Sequence, residues 1–458
     1  MFPHAPRCAV SALSGSLLLA LLAICSNAHA DYGPMPDSTD TDGHSEMANN
    51  NVDIARCHRY DGLQPQGTIS PPISTCETVS PGWGTLREQL ANSGWLIGGG
   101  IGVGGSYDLF HHDARPQLYI GQNPSYRTNP YVYVTYDLSR IGFAGASQLV
   151  FNADFQAFSY HQENPTGLSI NSLYINQRFN DGQVTLQYGF DELSNEFYGF
   201  SLGTNATAST AGISSSIPYE VGFLNNKSAP EVNLRLGLPR TPFYERFGVT
   251  RSASPQGVQA DWDSNNFWGF KWHIPGAKAL FIQELGYQTD SAPGHRMAWL
   301  RQGVIYNESR YPKFRAGEYA GSNYAYYLVG DYQLTQNDAA LPFRGLYINA
   351  KVDYAPPDRN IYSSDIGITP YVLGPFGRPY DVLSMTYTFD RLSKSFQHTQ
   401  QAQGVSAVDY SATYAISYVY RWSRGIYMTN QLSYTINPIP TPKRPSALTW
   451  MSSLSLYY

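Results

Sequence analysis

Residues that could catalyse a reaction are few in this sequence, and they lack the partners that catalysis needs. The adjacent acids Asp191 and Glu192 could act on a glycosidic bond, but they fall in a predicted loop without a partner motif. His111, His112 and Asp113 form the closest catalytic look-alike, and they also fall in a predicted loop. The Gly-x-Ser-x-Gly, His-Glu-x-x-His and P-loop motifs are absent. The sequence therefore predicts a protein that is not an enzyme, with no catalytic residues and no cofactor.

The cysteines suit a structural bridge better than a reactive or metal site. Two of the four lie in an N-terminal segment that we expect to be removed, which leaves Cys57 and Cys76. An even pair in an exported protein is expected to form a disulfide. His58 adjoins Cys57, but no second pair follows at the spacing of a zinc site. We therefore predict a Cys57–Cys76 disulfide and no bound metal.

The overall composition excludes several classes of protein. Charged residues and aromatic residues each make up 14% of the 458 positions, and the net charge is −5. That balance does not fit a disordered chain or a nucleic-acid-binding protein, so no nucleic-acid partner is expected. The mean hydropathy is negative, which argues against a bundle of apolar membrane helices. A membrane β-barrel escapes this objection, because only alternate residues of its strands face lipid.

The N-terminus has the pattern of a secretory signal. An apolar core lies within 14–24, and the small residues of 28–30 form a cleavage site, so we predict that 1–30 is a signal peptide. Lipid attachment at Cys25 is the weaker alternative, because the bulky Ile24 precedes it. Export and the absence of a later apolar run of about 18 residues predict that the mature chain has no helical anchor.

The mature chain divides into two parts. Residues 31–80 are rich in Asp, Asn, Ser, Thr and Pro and show no sustained period, so they are predicted to form a polar N-terminal extension that contains the disulfide. A short helix is expected at 83–90, and two-residue alternation dominates beyond it. In 149–156, for example, Leu, Phe and Ala alternate with Asn, Asp and Gln. We assign 81–458 to one domain.

The alternating segments predict an all-β, transmembrane antiparallel β-barrel of about sixteen strands. Short turns should face the periplasm and long loops the exterior, as in bacterial outer-membrane barrels. The segment Asn180-Asp181-Gly182 is a tight hairpin signal, since these residues tolerate positive φ. The predicted strands are 95–107, 130–138, 146–158, 171–179, 183–190, 231–238, 243–251, 279–287, 298–306, 324–333, 345–353, 365–373, 381–391, 412–421, 427–436 and 447–458.

A barrel of this size predicts a pore whose aromatics fall into two groups. Sixteen tilted strands enclose a lumen wide enough for water, whereas about eight fill with side chains. Most aromatics beside strands are expected in girdles at the membrane interfaces; they include Tyr131, Tyr133, Tyr136, Tyr414, Tyr418, Tyr420 and Trp422. Inward aromatics could instead stack on the C–H faces of sugar rings; the candidates are Tyr174, Tyr244, Trp299 and Tyr347.

Several segments resemble the carbohydrate-selective porin family of Gram-negative bacteria. They are WGTLREQLANSGW at 83–95, FYERFGVTR at 243–251, AKVDYAPPDRN at 350–360, GRPYDVLSMTYTFDRLS at 377–393 and YTINP at 434–438. The resemblance runs in patches from about residue 83 to the C-terminus, and it does not include the extension at 31–80. It implies a sixteen-stranded barrel and passive diffusion of monosaccharides and related sugars.

The resemblance further implies a constriction lined by cationic side chains. Arginine suits this role because its planar guanidinium donates hydrogen bonds to neighbouring hydroxyl groups. The alternative is that inward charges only pair with one another across a solvated wall. The candidates for pore lining and sugar contact are Asp154, Arg178, Arg235, Arg246, Glu284, Trp299, Arg301, Tyr347, Lys351, Asp353 and Asp390.

The longest predicted connection, 191–230, is low in charge and rich in small residues. A long loop in a compact domain is usually functional or disordered, so we expect this one to fold into the lumen and narrow it.

The sequence as a whole predicts an outer-membrane porin that lets small carbohydrates diffuse into the periplasm. The expected partners are outer-membrane lipid, small sugars and, through the C-terminal strand, the barrel-assembly machinery. Two alternatives stay open: a general small-solute porin without sugar preference, and a secreted all-β carbohydrate-binding protein whose strands bury one face in a core. A monomer and a homotrimer are equally compatible with the sequence.

Overall fold

The computed structural model describes residues 60–69, 72–80, 86–160, 166–198, 216–223, 227–265, 269–315 and 317–458. The predicted signal peptide 1–30 and the predicted disulfide partner Cys57 lie outside these ranges. Among the described residues, no helix is long and apolar enough to cross a membrane.

Sixteen antiparallel strands form one closed barrel in the described part of the chain. The predicted barrel fold is therefore confirmed. The strands are β1 Trp95–Asp108, β2 Ser125–Asp137, β3 Ala146–Phe158, β4 Gly167–Phe179, β5 Val184–Asp191, β6 Ala229–Gly237, β7 Phe243–Arg251, β8 Ala279–Thr289, β9 Ala298–Asn307, β10 Asn323–Gln333, β11 Gly345–Tyr354, β12 Tyr362–Leu373, β13 Val382–Leu392, β14 Tyr410–Ser423, β15 Ile426–Ile436 and β16 Ala447–Tyr457.

Pairing between the first and last strands closes the barrel. Strand β1 runs antiparallel to β16 from the pair Gly100–Tyr457 to the pair Asp108–Thr449. Each strand otherwise pairs with its neighbours in sequence, so no strand edge is left open. Closure satisfies the backbone N–H and C=O groups without water, which a strand in hydrocarbon requires.

Alternation divides each strand into an apolar outer face and a mostly polar inner face. In β10 the outward Leu328 is 56% exposed, whereas the neighbouring Tyr327 and Val329 are buried. In β1 the outward Trp95, Ile97, Ile101 and Val103 are exposed and apolar, and four inward positions, 98, 100, 102 and 104, are glycines. An apolar band of this extent facing outward fits contact with lipid rather than with water.

Helices and a small hairpin occupy the connections. The helices are α1 Leu86–Asn92, α2 Ser216–Glu220, α3 Val258–Ser264 and α4 Lys394–Ala402. The hairpin pairs Tyr311–Pro312 with Tyr319–Ala320. Helix α1 overlaps the helix expected at 83–90, whereas α2, α3, α4 and the hairpin were not predicted.

The two ends of the barrel differ in the length of their connections. Seven short turns lie at one end, and the β4–β5 turn places Asn180, Asp181 and Gly182 at positive φ, as the sequence predicted. The longer loops lie at the other end, where strands β2 and β4 begin five and four residues earlier than the predicted 130 and 171. Strand ends among polar residues carry no clear periodicity, which explains these differences.

One part of the aromatic prediction was wrong. Tyr133 is buried, and its hydroxyl lies against the inward Gly98, so it faces the interior rather than the membrane interface. Tyr131 shares that face, because it lies two residues away on the same strand. Tyr136 faces outward and packs on Trp95, with ring centroids 4.4 Å apart. Outward Tyr414, Tyr420 and Trp422 are exposed, as a girdle requires.

The loop between β5 and β6 folds into the lumen where it is described, as expected from its length. Its apolar side chains pack on inward apolar residues of the wall. From the loop these are Leu193, Phe197, Ile217, Val221 and Phe223, and from β8, β9 and β10 they are Leu280, Ile282, Ile305, Ala325 and Val329. Inward apolar residues would otherwise face water, so the hydrophobic effect holds the loop on this part of the wall.

Polar contacts fix the returning part of this loop at the extracellular rim. The amide of Asn307 donates to the carbonyl of Val221 at 2.8 Å. The carboxylate of Glu220 accepts from the backbone N–H of Tyr362, with the shorter distance 3.1 Å. These contacts place the loop against β9 and β12, at the top of the barrel wall.

The lipid-facing role of the outer surface can be tested with a charge placed at mid-strand. Leu328→Arg lies at the centre of β10 and should lower the free energy of unfolding by about 2–4 kcal/mol. Leu238→Arg, on an equally exposed residue just after β6, should cost roughly 0–1 kcal/mol because it lies near the interface. Urea-induced unfolding in lipid vesicles measures both. Equal costs at the two positions would contradict the assigned membrane band.

Candidate functional site

The inner wall of β7–β10 holds a carboxylate between two tyrosines. Glu284 on β8 is buried and accepts hydrogen bonds from Tyr244 at 2.9 Å and from Tyr327 at 2.7 Å. Trp299 on β9 donates its indole N–H to the Tyr244 hydroxyl at 3.0 Å. We call this group the Glu284 cluster. It fixes a buried carboxylate beside aromatic rings on the inner wall.

Two glycines make room for the tyrosine rings of the Glu284 cluster. A Cβ atom at Gly286 would lie 2.1 Å from the ring of Tyr244, and one at Gly303 would lie 2.2 Å from the ring of Tyr327. Both glycines are inward residues, two positions after Glu284 and Arg301 respectively. Any side chain there would push a ring off the wall and away from the Glu284 carboxylate.

Two arginines stack on aromatic rings at the margin of the Glu284 cluster. The guanidinium of Arg301 lies 3.8 Å from the ring centroid of Trp299, and that of Arg235 lies 4.3 Å from Tyr244. Both contacts place a cation over the face of an aromatic ring, which is a favourable electrostatic arrangement. Arg235 also approaches Gln288, with Nη2 3.5 Å from the amide oxygen.

A second polar group joins the lumen loop to β5, β6 and β7. The amide of Gln187 donates to Glu196 at 2.7 Å and to Asp191 at 3.2 Å, and it lies 3.4 Å from Glu231. The guanidinium of Arg246 lies 3.4 Å from the Glu196 carboxylate and also donates to the Glu196 carbonyl. Three carboxylates therefore surround one amide and a single nearby guanidinium.

Burial determines the protonation of Glu196 in this second group. Desolvation raises the pKa of Glu196 to about 8, although the positive charge of Arg246 opposes this and the negative charge of Asp191 adds to it. Glu196 is therefore mostly protonated and neutral at pH 7, and it ionises as the pH rises through about 8.

A third polar group lies on β11, β12 and β13. The ammonium of Lys351 is 3.0 Å from Asp365 and 3.3 Å from Asp353, and Asp390 is paired with Asp365 across β12 and β13. The hydroxyl of Tyr198, from the lumen loop, bonds to Asp353 and lies 3.1 Å from Lys351. Three carboxylates again share one cation, and the loop contacts the wall through them.

The three remaining predicted residues lie apart from these groups. Asp154 on β3 is buried and accepts from the amide of Asn129 at 2.7 Å. Arg178 lies next to the last residue of β4, at the end of the barrel with short turns. Tyr347 on β11 stacks on Tyr371 of β12 with centroids 5.0 Å apart and donates its hydroxyl to the Phe343 carbonyl at 2.6 Å.

The structure thus brings together most of the predicted residues, but in separate groups rather than in one ring. Their roles in pore lining and sugar contact stay predictions. Sequence reasoning missed seven members of these groups, namely Gln187, Asp191, Glu196, Tyr198, Glu231, Tyr327 and Asp365. Tyr327 and Asp365 lie on the polar face of their strands, so alternation could have identified them. Glu196 and Tyr198 lie in a loop, where no periodicity indicates direction.

The described parts of the N-terminal extension also lie inside the barrel. Thr135 and Gln148 both donate to the carbonyl of Leu63, at 2.5 and 2.8 Å. Farther along, the carboxylate of Glu77 pairs with Arg421 on β14 at 2.9 Å. The described residues of segment 63–79, which are 63–69 and 72–79, therefore lie along the inner wall from β2 and β3 to β14, at the end with short turns.

Cys76 belongs to the same segment and is disulfide-bonded. Its predicted partner Cys57 lies outside the described residues, so that pairing stays a prediction. Burial raises the pKa of Glu77, while the adjacent charge of Arg421 lowers it. Within the described ranges, no group of three or more His, Cys, Asp or Glu side chains is arranged to hold a metal ion.

Comparison with known families identifies this arrangement. The model of the carbohydrate-selective porin, OprB family, matches residues 144–448, which is more than half of the chain. The chain belongs to the carbohydrate-selective porin family. The match covers β3–β15 and the polar groups on β5–β13, whereas segment 63–79 precedes it. Like its family, the chain is an outer-membrane porin.

Solved structures support the porin fold at low sequence identity. OprB of Pseudomonas putida, in its high-pH structure, is 14% identical with a TM-score of 0.70, and the match covers 82% of this chain and 97% of that one. The low-pH structure of the same protein gives 10% identity and a TM-score of 0.52, over 83% and 98% of the two chains. No curated protein sequence matched this porin significantly.

Ionisation of Glu196 should make the ion selectivity of this porin depend on pH. Raising the pH from 7 to 9 adds a negative charge beside Arg246, so the preference for K⁺ over Cl⁻ should increase. The reversal potential across a KCl gradient in planar bilayers measures this change. Glu196→Gln should remove the change between pH 7 and 9, whereas Asp338→Asn, in the β10–β11 turn, should keep it. A Glu196→Gln channel with the wild-type pH dependence would contradict the assignment.

Proposed function

We propose that this porin admits small carbohydrates by passive diffusion and that its preference for sugars arises from the wall between β6 and β10. The observation that carries the proposal is the Glu284 cluster with its two stacked arginines. It combines fixed acceptors, guanidinium donors and aromatic faces within one patch of the lumen.

The chemistry of this patch matches that of a sugar. A pyranose presents hydroxyl groups around its edge, and each one can both donate and accept a hydrogen bond. The partly exposed guanidinium of Arg235 can donate to neighbouring hydroxyls, while the buried Glu284 carboxylate and Arg301 hold the aromatic rings behind it in place. The rings of Trp299 and Tyr244 offer apolar surface for C–H groups. An inorganic ion or a non-polar solute would use only part of this set.

The position of the lumen loop supports the proposal that only small molecules pass. It covers the wall from β5 to β12 through Phe197, Tyr198 and Val221, while segment 63–79 covers the wall on the other side, near β14. Both insertions reduce the open cross-section of a sixteen-stranded barrel. A barrel narrowed in this way favours monosaccharide-sized solutes over larger ones.

A general porin without sugar preference is the main rival. It would share the barrel, the loop and the charged walls, but its conductance would not respond specifically to sugars. A secreted carbohydrate-binding protein is a poorer fit, because residues such as Leu300, Leu328 and Val352 present a continuous apolar surface outward.

Assembly of the barrel suggests further partners. Outward Leu448, Trp450 and Leu454 on β16 form an apolar and aromatic face suited to lipid and, in our proposal, to the barrel-assembly machinery. Both a monomer and a homotrimer are compatible with a closed barrel of this kind. Chemical cross-linking in native membranes distinguishes these two states.

Sugar preference can be tested by current block in single channels. Glucose should reduce the current saturably, while a non-sugar solute of similar size should not. Arg235→Ala should weaken the block about threefold to tenfold, because a guanidinium hydrogen bond to a hydroxyl contributes on the order of 1 kcal/mol. Arg240→Ala, in the exposed turn after β6, is the matched control, and glucose should block its current as strongly as it blocks that of the wild type. A linear, non-saturating effect of glucose would favour the general porin.

A further inference from the structure

A cavity of about 400 Å³ lies between the N-terminal segment and the inner wall of β2–β5. Pro65, Thr68, Pro72 and Ile73 form its inner side, and residues of β2, β3, β4 and β5 form its outer side. This volume falls within the range of roughly 300–1,000 Å³ that small-molecule sites occupy. The cavity is separate from the Glu284 cluster, since none of its described lining residues belongs to β6–β10.

The segment that covers the cavity is fixed to the wall by hydrogen bonds. Tyr174 donates its hydroxyl to the carbonyl of Gln66 at 2.9 Å, and the backbone N–H of Gln66 donates to Gln148 at 3.0 Å. Gly67 lies so close to Gln187 that a Cβ atom there would be 2.3 Å from the amide oxygen. The cavity is therefore a feature of the folded lumen with a defined inner boundary.

The lining combines three kinds of side chain. Two are carboxylates, Asp154 and Asp191, and four are asparagines, of which Asn129 and Asn152 lie on β2 and β3. Four are tyrosines, including Tyr131. Among the described lining residues none is Lys or Arg. The cavity thus offers acceptors, amide groups that both donate and accept, and aromatic surface, but no cation to attract an anion.

One carboxylate oxygen of Asp154 has no hydrogen-bond donor in this lining. It is only 8% exposed, and its Oδ2 accepts from the amide of Asn129 at 2.7 Å. Its Oδ1 is buried and has no hydrogen-bond partner among the described residues, and the same holds for Oδ1 of Asn152. Leaving a buried carboxylate oxygen unpaired has a free-energy cost, because the oxygen loses its hydrogen bonds to water. A ligand with hydroxyl donors at this position would remove that cost.

We propose that this cavity is a second binding site, specific for a neutral polyhydroxylated molecule of monosaccharide size, which donates a hydroxyl to Asp154. Neutral hydroxyl groups satisfy both the free acceptors and the asparagine amides, and the tyrosine rings fit C–H faces. An anionic sugar would meet two carboxylates without a compensating cation. Asp154 lies near the middle of β3, so the site would hold sugar about midway along the lumen. The choice of sugar as ligand rests on the proposed function.

Calorimetric titration of the full-length protein in detergent with glucose tests the proposal. The wild type should bind glucose saturably and bind gluconate at least about tenfold more weakly. Asp154→Leu and Asn152→Leu should each weaken glucose binding on the order of tenfold, because each removes one of the unpaired acceptors. Asp331→Leu, an inward carboxylate of β10 outside the cavity, is the matched control and should bind like the wild type. Heat-modifiable mobility on gels verifies that each variant is folded.

Three outcomes would overturn the proposal. The first is unchanged glucose binding in both Asp154→Leu and Asn152→Leu. The second is binding of glucosamine but not glucose, which would indicate a site for cations. The third is binding lost in Arg235→Ala but kept in Asp154→Leu, which would place the only sugar site at the Glu284 cluster. Liposome swelling in glucose tests the proposed function separately, because transport by the wild type can fail while calorimetry still detects binding.

Discussion

The structure depends on one constraint, which is that backbone N–H and C=O groups find no water in the hydrocarbon of a membrane. A sheet meets it only by closing, and here β1 completes the barrel against β16. Closure fixes the direction of every side chain, because successive residues of a strand point to opposite faces. The apolar outer band around Leu328 and the polar inner groups around Glu284 are two consequences of the same pairing.

Closure also leaves a wide lumen with inward apolar residues, and two insertions cover these parts of the wall. Sixteen strands enclose more space than their own side chains fill, and inward apolar residues on β8, β9 and β10 would face water. The lumen loop covers them with Phe197, Val221 and neighbouring residues, and it buries Glu196 and Tyr198 against polar partners farther down. The extension at 63–79 covers the opposite side through backbone hydrogen bonds and the Glu77–Arg421 pair. The lumen is thus shaped by two insertions of different chemistry.

Each polar group on the inner wall is formed by only a few residues. The Glu284 cluster relies on two tyrosines whose rings fit only because glycines occupy positions 286 and 303. The Lys351 and Gln187 groups each gather three carboxylates with one basic side chain nearby. The porin fold persists at 14% identity to OprB of Pseudomonas putida, since alternation of polar and apolar residues, rather than any particular residue, specifies a barrel.

The sequence alone determined the fold, because lipid outside and water inside impose a two-residue period that is visible without coordinates. It also determined the inward direction of strand residues such as Arg301 and Lys351, and the loop that enters the lumen. Tyr131 and Tyr133 were misassigned because the same aromatic residue types occur in girdles and in the lumen. Only the odd or even position of a residue along its strand decides which face it points to. The partners Glu196 and Tyr198, the path of segment 63–79 and the cavity beside Asp154 required the tertiary structure. Loop residues show no periodicity that indicates their direction. Contacts across the lumen join positions more than a hundred residues apart, so no local sequence pattern predicts them.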